Sequence, residues 1–231
     1  MDIIKRSLVI AIGVAGMHVA MAQTEDRPVQ PDVPGDISFD FGLGILSNNP
    51  NYFDNDLWPS RAVGLHYMYT IKLSDRFVLN PSLGFAFDRL GLKNNVNFLE
   101  DDAGIYQLDT IADLTLNKNM LKYTYLELPL ELRYYPFRTV KGEGFFIGAG
   151  GVVGVKLGSQ TKLKYDFNEE TRVLRSKADL GLNDLRYGVQ AHIGWKAFSI
   201  FYKHYFSDLF QTGPADLKAR QFTVGINFTG F

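Results

Sequence analysis

Apolar and polar residues alternate with a period of two along most of the chain, and turn residues separate the alternating segments. A period of two puts successive side chains on opposite faces of an extended strand, so each segment predicts a strand with one apolar face. Eight segments can be counted, at 36–46, 61–73, 77–88, 123–135, 145–156, 185–196, 198–206 and 221–228. The fourth is the most regular. Thr124, Leu126, Leu128, Leu130, Leu132 and Tyr134 stand on one side, and Tyr123, Tyr125, Glu127, Pro129, Glu131, Arg133 and Tyr135 on the other. A helix over the same residues would bury those charges badly.

Alternation alone also fits a soluble barrel of the lipocalin kind, so other features have to decide the solvent of each face. The polar face is rich in glycine, including Gly42, Gly64, Gly84, Gly148, Gly154 and Gly188. Glycine weakens a strand unless a close approach demands a small residue, and a narrow lumen makes that demand. The same face carries Asp40, Asp88, Glu127 and Glu131 against Arg133, Lys156, Arg186 and Lys203. A low-dielectric interior needs such paired charge. The opposite face is bulky, nearly free of charge, and long enough at about 9–11 residues per tilted strand to cross a bilayer. The expected fold is all-β, an antiparallel up-and-down transmembrane β-barrel of about eight strands, an even count that suits closure.

The connections at 74–76, 136–144 and 196–197 are short, whereas 47–60, 90–120, 158–183 and 207–219 are long. Short periplasmic turns and long extracellular loops predict this asymmetry. Phe77, Tyr134, Phe145, Trp195 and Phe198 gather beside the short turns, where an interfacial aromatic girdle belongs. Pro81 and Pro129 each remove a ladder donor, so the pairing of the third and fourth strands is expected to be irregular there.

Ahead of the strands, Lys5 and Arg6 precede an apolar run over 8–15 and the small-residue site Ala20-Met21-Ala22. This is the pattern of a signal peptide over residues 1–22, too short for the ~20 apolar residues of a spanning helix. Residues 23–35 carry Pro28, Pro31 and Pro34 at every third position and read as an extended periplasmic lead-in to a barrel domain over 36–231. A net charge of −1 over 231 residues leaves no footprint for nucleic acid, and the absence of cysteine excludes disulfides and a lipid-anchored N-terminal cysteine.

Candidate chemistry is sparse. His204 with Ser207 and Asp208 near an outer rim could in principle form a hydrolytic group, but Ser207 has the opposite strand parity and an interfacial histidine explains His204 more simply. His66 and His192 fall on the lumen face. The runs Asp54-Asn55-Asp56 and Glu100-Asp101-Asp102 are oxygen-rich enough for a hard cation bridging lipopolysaccharide phosphates, yet a solvated loop is the preferred reading. No catalytic, cofactor or metal site is assigned. An interior only wide enough for side chains also argues against an open channel.

The run Tyr125-Leu126-Glu127-Leu128-Pro129-Leu130-Glu131-Leu132 resembles the tyrosine-leucine-glutamate-x-proline-leucine signature of PorT-like outer-membrane β-barrel proteins. The resemblance implies an eight-stranded barrel in the cell outer membrane and, for PorT itself, a part in type IX secretion. It implies as partners the outer-membrane lipid and lipopolysaccharide, the assembly machinery and secretion-machinery proteins. Such chains usually end on an outward aromatic recognised for assembly. Here Phe228 keeps the outward parity and Phe231 does not, so either could serve. The expected function is a non-enzymatic structural or interaction module. A lipid-modifying or proteolytic surface enzyme is the alternative, and a small-solute channel the third reading.

Overall fold

In the computed structural model the described residues are 34–50, 53–93, 96–100, 106–110, 116–137, 144–167, 170–177, 180–211 and 218–230. The expected signal peptide, all but the end of the proline-rich lead-in, and Phe231 lie outside them. Among the described residues eight long strands form the main sheet: β1 Asp36–Ser47, β2 Asn55–Met68, β3 Phe77–Leu92, β4 Leu116–Tyr134, β5 Phe145–Phe167, β6 Leu185–Trp195, β7 Phe198–Tyr205 and β8 Arg220–Thr229. Each pairs antiparallel with its sequence neighbours, and β8 returns to β1 from Ser38↔Thr229 through Ser47↔Arg220. The first and last strands therefore join, and the sheet closes into a ring with no free edge.

Burial follows the sequence alternation through the ring. Phe39, Phe41, Leu65, Phe85, Phe87, Leu128, Leu130, Val153, Tyr187, Ile193, Ile200 and Val224 are exposed, while Ser38, Asp40, His66, Asp88, Glu127, Glu131, Gln190, Lys203 and Thr223 are buried. A protein in water arranged this way would be inside out. Apart from short gaps at two prolines, the ladder pairs the backbone of the wall, which is what lets a strand structure cross hydrocarbon.

Glycine on the inner face is a packing requirement. A Cβ on Gly148 would stand 1.9 Å from Glu131 Oε1, and one on Gly154 would lie 3.2 Å from Glu127 Cγ and 3.3 Å from Arg186 Cγ. The lumen has no volume left for another methyl group at Gly148.

At the short-turn end, Ser74 Oγ accepts the Arg76 and Phe77 N–H groups at 3.3 and 3.2 Å. The two-residue turn at Lys196 and Ala197 holds Lys196 at φ 54° in the left-handed region, as tight hairpins require. Phe77 meets Tyr134 at 5.0 Å between ring centroids, Trp195 pairs with both Phe145 and Phe198, and Phe198 packs on Phe228 at 5.4 Å. The five aromatics expected beside the short turns thus form one collar.

The two prolines are absorbed by gaps without slippage. Between β3 and β4 the pairs Pro81↔Leu130 and Gly84↔Glu127 keep one register, and only the two positions between them, opposite Leu128 and Pro129, drop out of the ladder. Pro81 accepts from the Tyr69 N–H at 2.9 Å, where β2 has ended and before the short bridge Ile71–Lys72 resumes pairing with β3. Each missing proline donor coincides with a local break. The true register shifts lie elsewhere, between Asp56 and Arg61 on β2 and at Leu116/Lys118 and Thr124/Tyr125 in the β4–β5 pairing.

The segments 90–120 and 158–183, expected to be loops, are corrected by the structure. β4 begins at Leu116 and β5 runs 23 residues to Phe167, roughly twice the 9–11 residues that span a bilayer. Beyond the apolar band they remain paired and are joined by a hairpin strand, Glu170–Ser176, into a raised sheet. A separate hairpin pairs Val96–Glu100 with Tyr106–Thr110. The bulge at Leu157 explains the error, because one extra residue reverses the parity of β5. Below it even-numbered residues such as Gly148 and Val152 face inward; above it Thr161 and Leu163 do.

Candidate functional site

Alternation directs one side chain in two from each strand into the ring, and the charged ones meet at the centre. Glu127 on β4, fully buried, is the node. Its Oε1 forms an ion pair with Arg186 Nη2 of β6 at 2.7 Å and accepts from Tyr205 Oη of β7 at 2.6 Å; its Oε2 accepts from Lys203 Nζ of β7 at 3.1 Å and faces His66 Nε2 of β2 at 3.5 Å. Arg186 bridges onward to Asp88 of β3 at 2.7 Å, with its guanidinium 4.0 Å from the Tyr125 ring and 4.4 Å from that of Tyr205. Lys203 and His66 reach Asp40 of β1 at 3.7 and 3.8 Å, and Asn227 of β8 donates to Asp40 at 2.6 Å. Gln221 of β8 donates to Asp88 at 3.0 Å and accepts from the Tyr123 hydroxyl.

Nearer the short turns a second group forms around Glu131. Arg133 donates to it at 2.9 Å and lies 4.5 Å over the Phe146 ring, while His192 Nδ1 approaches Glu131 at 3.3 Å. Seven of the eight charged residues expected in the lumen are therefore brought together in the interior. Lys156 sits apart, at the rim, paired with Asp184 at 2.8 Å and donating to the Leu182 carbonyl at 2.7 Å.

A feature that the strand pattern missed lies above the network. Leu46, Phe53, Leu90, Leu92, Leu121, Leu180, Leu182, Leu209, Phe210 and Ala219 form a buried apolar layer at the long-loop end. Phe53 and Phe210 meet edge to face at 5.4 Å. The segments carrying Leu182 and Phe210 bridge each other, with Gln211 N–H donating to Gly181 O at 2.8 Å and Asn183 N–H to Leu209 O at 2.9 Å. Gly181, at φ 66°, permits the turn. The signal was present as the apolar pairs Leu180/Leu182 and Leu209/Phe210 inside polar loops. Between side chains, three small interior cavities measure about 10, 20 and 20 Å³, each enough for about one water.

The other candidate groups are not assembled. His204 packs on the outward side against Tyr202 and Phe206, Ser207 Oγ accepts the Tyr187 N–H at 3.3 Å, and Asp208 is paired with Arg220 at 3.0 Å. Asn55 is buried and committed to the Leu46 N–H, the Gly44 carbonyl and Ser60. The Lys93 ammonium at 2.6 Å holds the Asp54 carboxyl below its usual range. Residues 101–102 and the side chain of Glu100 lie outside the described residues, among which no cluster of three acidic or histidine side chains could hold a metal. Phe228 keeps its outward parity beside Phe198.

A closed ring of eight antiparallel strands, apolar outside and ionic within, defines a small integral β-barrel membrane protein. The chain belongs to the family described as outer membrane protein beta-barrel domain, whose profile matches residues 21–211, and is an outer-membrane protein. No curated protein matches it. Similar solved structures include Ail, the attachment invasion locus protein of Yersinia pestis, in complex with the heparin analogue sucrose octasulfate, at 15% identity and TM-score 0.38 over 85% of this chain and 99% of that one. A de novo designed transmembrane β-barrel is 9% identical at TM-score 0.29 (87% and 99% covered), and an outer membrane channel from Pseudomonas putida F1 is 12% identical at 0.28 (89% and 99%).

Replacing Glu127 leaves Arg186 and Lys203 with one carboxylate fewer in a dry interior. Glu127→Gln is expected to cost about 3–5 kcal/mol of barrel stability, and adding Lys203→Met should recover part of it. Urea unfolding in lipid vesicles, followed by the fluorescence of Trp58 and Trp195, reads the change; an unaltered midpoint for Glu127→Gln would contradict the role given to the node.

Proposed function

We propose that this protein is a non-enzymatic scaffold of the outer membrane, a plugged barrel that holds its long-loop sheet and hairpins at the surface for interaction with other molecules. The observation that carries this reading is the occupied interior, in which an ion network centred on Glu127 lies beneath an apolar lid. Conduction would require breaking both layers. No described hydroxyl, histidine and carboxylate stand together in the hydrolytic arrangement considered for His204, Ser207 and Asp208.

The resemblance of Tyr125, Leu126, Glu127, Pro129 and Leu130 to the PorT-like signature supports a sharper version, an accessory part in protein secretion. In that version residues 1–22 are removed on export, and residues 23–35 tether the barrel on the periplasmic side. Phe228, on the outward collar, is the aromatic presented to the assembly machinery.

In planar bilayers the folded protein should show no steady open conductance, and a sustained single-channel current would overturn the plugged reading. Affinity capture from detergent-solubilised outer membrane, with a tag at the mature N-terminus, should recover secretion-machinery subunits. Recovery of the barrel alone would remove the secretion role and leave the scaffold.

A further inference from the structure

The outward side of the barrel changes character abruptly above the apolar band. On β3 the next outward residue beyond the exposed Phe87 is Arg89, and on β4 Lys122 follows Leu126 and Thr124. Arg61, Arg89 and Lys122 lie in one row across three strands, paired Arg61↔Arg89 and Arg89↔Lys122. Higher on the raised sheet Lys118 opposes Lys164, and Lys162 opposes Arg175 of the hairpin strand. Four cross-strand pairs thus set like charge against like, an arrangement that destabilises a sheet when nothing outside it compensates.

The seven side chains share a face. Lys122, paired with Gln160, continues the outward parity of Leu126 and Leu128; Met120, paired with Lys162, has the same parity but is itself buried, and the opposite face buries Leu121, Tyr123, Thr161 and Leu163 against the lid side. At two residues per same-face step, the cations occupy a strip from about 7 Å beyond the last apolar residue at Arg89 to about 27 Å at Lys118, measured along the strands. They therefore project sideways, over the surrounding leaflet. At the same level Trp58 is 79% exposed with the Arg61 guanidinium 5.7 Å from its ring, in the manner of an interfacial anchor. Arg175, together with desolvation and Lys122, Lys118 and Lys164, pushes the Lys162 ammonium below its ordinary value. Two described carboxylates border the strip: Asp56, opposite Gly91, and Asp166, held by Asn117 and Thr171 at 2.6 and 2.7 Å.

We propose that this strip, Arg61, Arg89, Lys118, Lys122, Lys162, Lys164 and Arg175, binds the phosphates of the lipopolysaccharide packed around the barrel. The inference rests on the membrane scaffold reading and names the lipid partner of its raised sheet. Anionic groups at the hydrocarbon edge meet the lowest row, and phosphates of the inner saccharides meet the upper cations. Each contact relieves a like-charge pair that the fold otherwise maintains at a cost. A ligand arriving from bulk solvent is less suited to the strip, because its side chains point along the membrane plane.

The test uses the folded full-length protein in a neutral detergent, with bisphosphorylated lipid A and its enzymatically dephosphorylated form as probes. Bisphosphorylated lipid A should bind about tenfold or more tightly than the dephosphorylated form, and the preference should shrink as salt rises from about 0.05 to about 0.5 M. The variant Lys122→Gln/Lys162→Gln/Lys164→Gln should lose the preference while keeping the heat-modifiable electrophoretic mobility of a folded barrel. Lys196→Gln, at the short-turn end, should keep it. Equal binding of the two lipid forms by a folded barrel overturns the proposal and leaves the membrane reading intact. Tight binding of inositol hexakisphosphate with no lipid A preference overturns it in favour of a soluble polyanion. Loss of heat-modifiable folding in the unmodified protein would instead count against the barrel itself.

Discussion

The carboxylate of Glu127, enclosed at the centre of an eight-stranded ring, is bound from across the lumen by Arg186, Lys203 and Tyr205 and approached by His66. Those partners come from β2, β6 and β7, while Glu127 rides on β4, so one buried charge ties β4 to three strands that it does not touch through the ladder. Buried ion pairs are costly to create and costlier to half-break, and their worth lies in what they specify. Slipping one strand by a residue would turn its charges into lipid and leave their partners unpaired. Closure, strand register and the glycines that make room for Glu131 and Arg186 all depend on that arrangement.

The ring and its two faces were legible because a wall one residue thick with unlike solvents on each side forces strict alternation. Gly148 and Gly154 announced a crowded lumen through residue type alone. What was not legible has physical causes. Above the bilayer the outward side becomes cationic and the inward side apolar, so the pattern that marked strands below is inverted. The Leu157 bulge then reverses parity on β5. The apolar lid is contributed by loop residues such as Leu182 and Phe210, which follow no period. Lys156 fell on the lumen parity, but its height along β5 took it to Asp184 at the rim. Partner choice, Arg186 with Asp88 and Glu127 or Arg133 with Glu131, is set by strand tilt and stagger across the ring.

Pro81 and Pro129 show how much disorder such a wall tolerates. Each lacks a donor, and each sits where the ladder drops two positions and then resumes in the same register. A bulge at either site would have moved the remainder of the strand to the wrong face, with Glu131 and Arg133 turned outward. A gap preserves the faces, and the ion network across the lumen holds the register through it.

The central claim is that the interior is closed to water while the outer face meets lipid, and the absence of cysteine from the chain allows a direct test. Single cysteines at Thr223, buried inside, and at Val153, on the outer band, should be challenged in intact membranes with a membrane-impermeant maleimide and a lipid-soluble one. The account predicts that Thr223→Cys resists both reagents and Val153→Cys reacts only with the lipid-soluble one. Rapid labelling of Thr223→Cys by the impermeant reagent would show a water path through the barrel and contradict it.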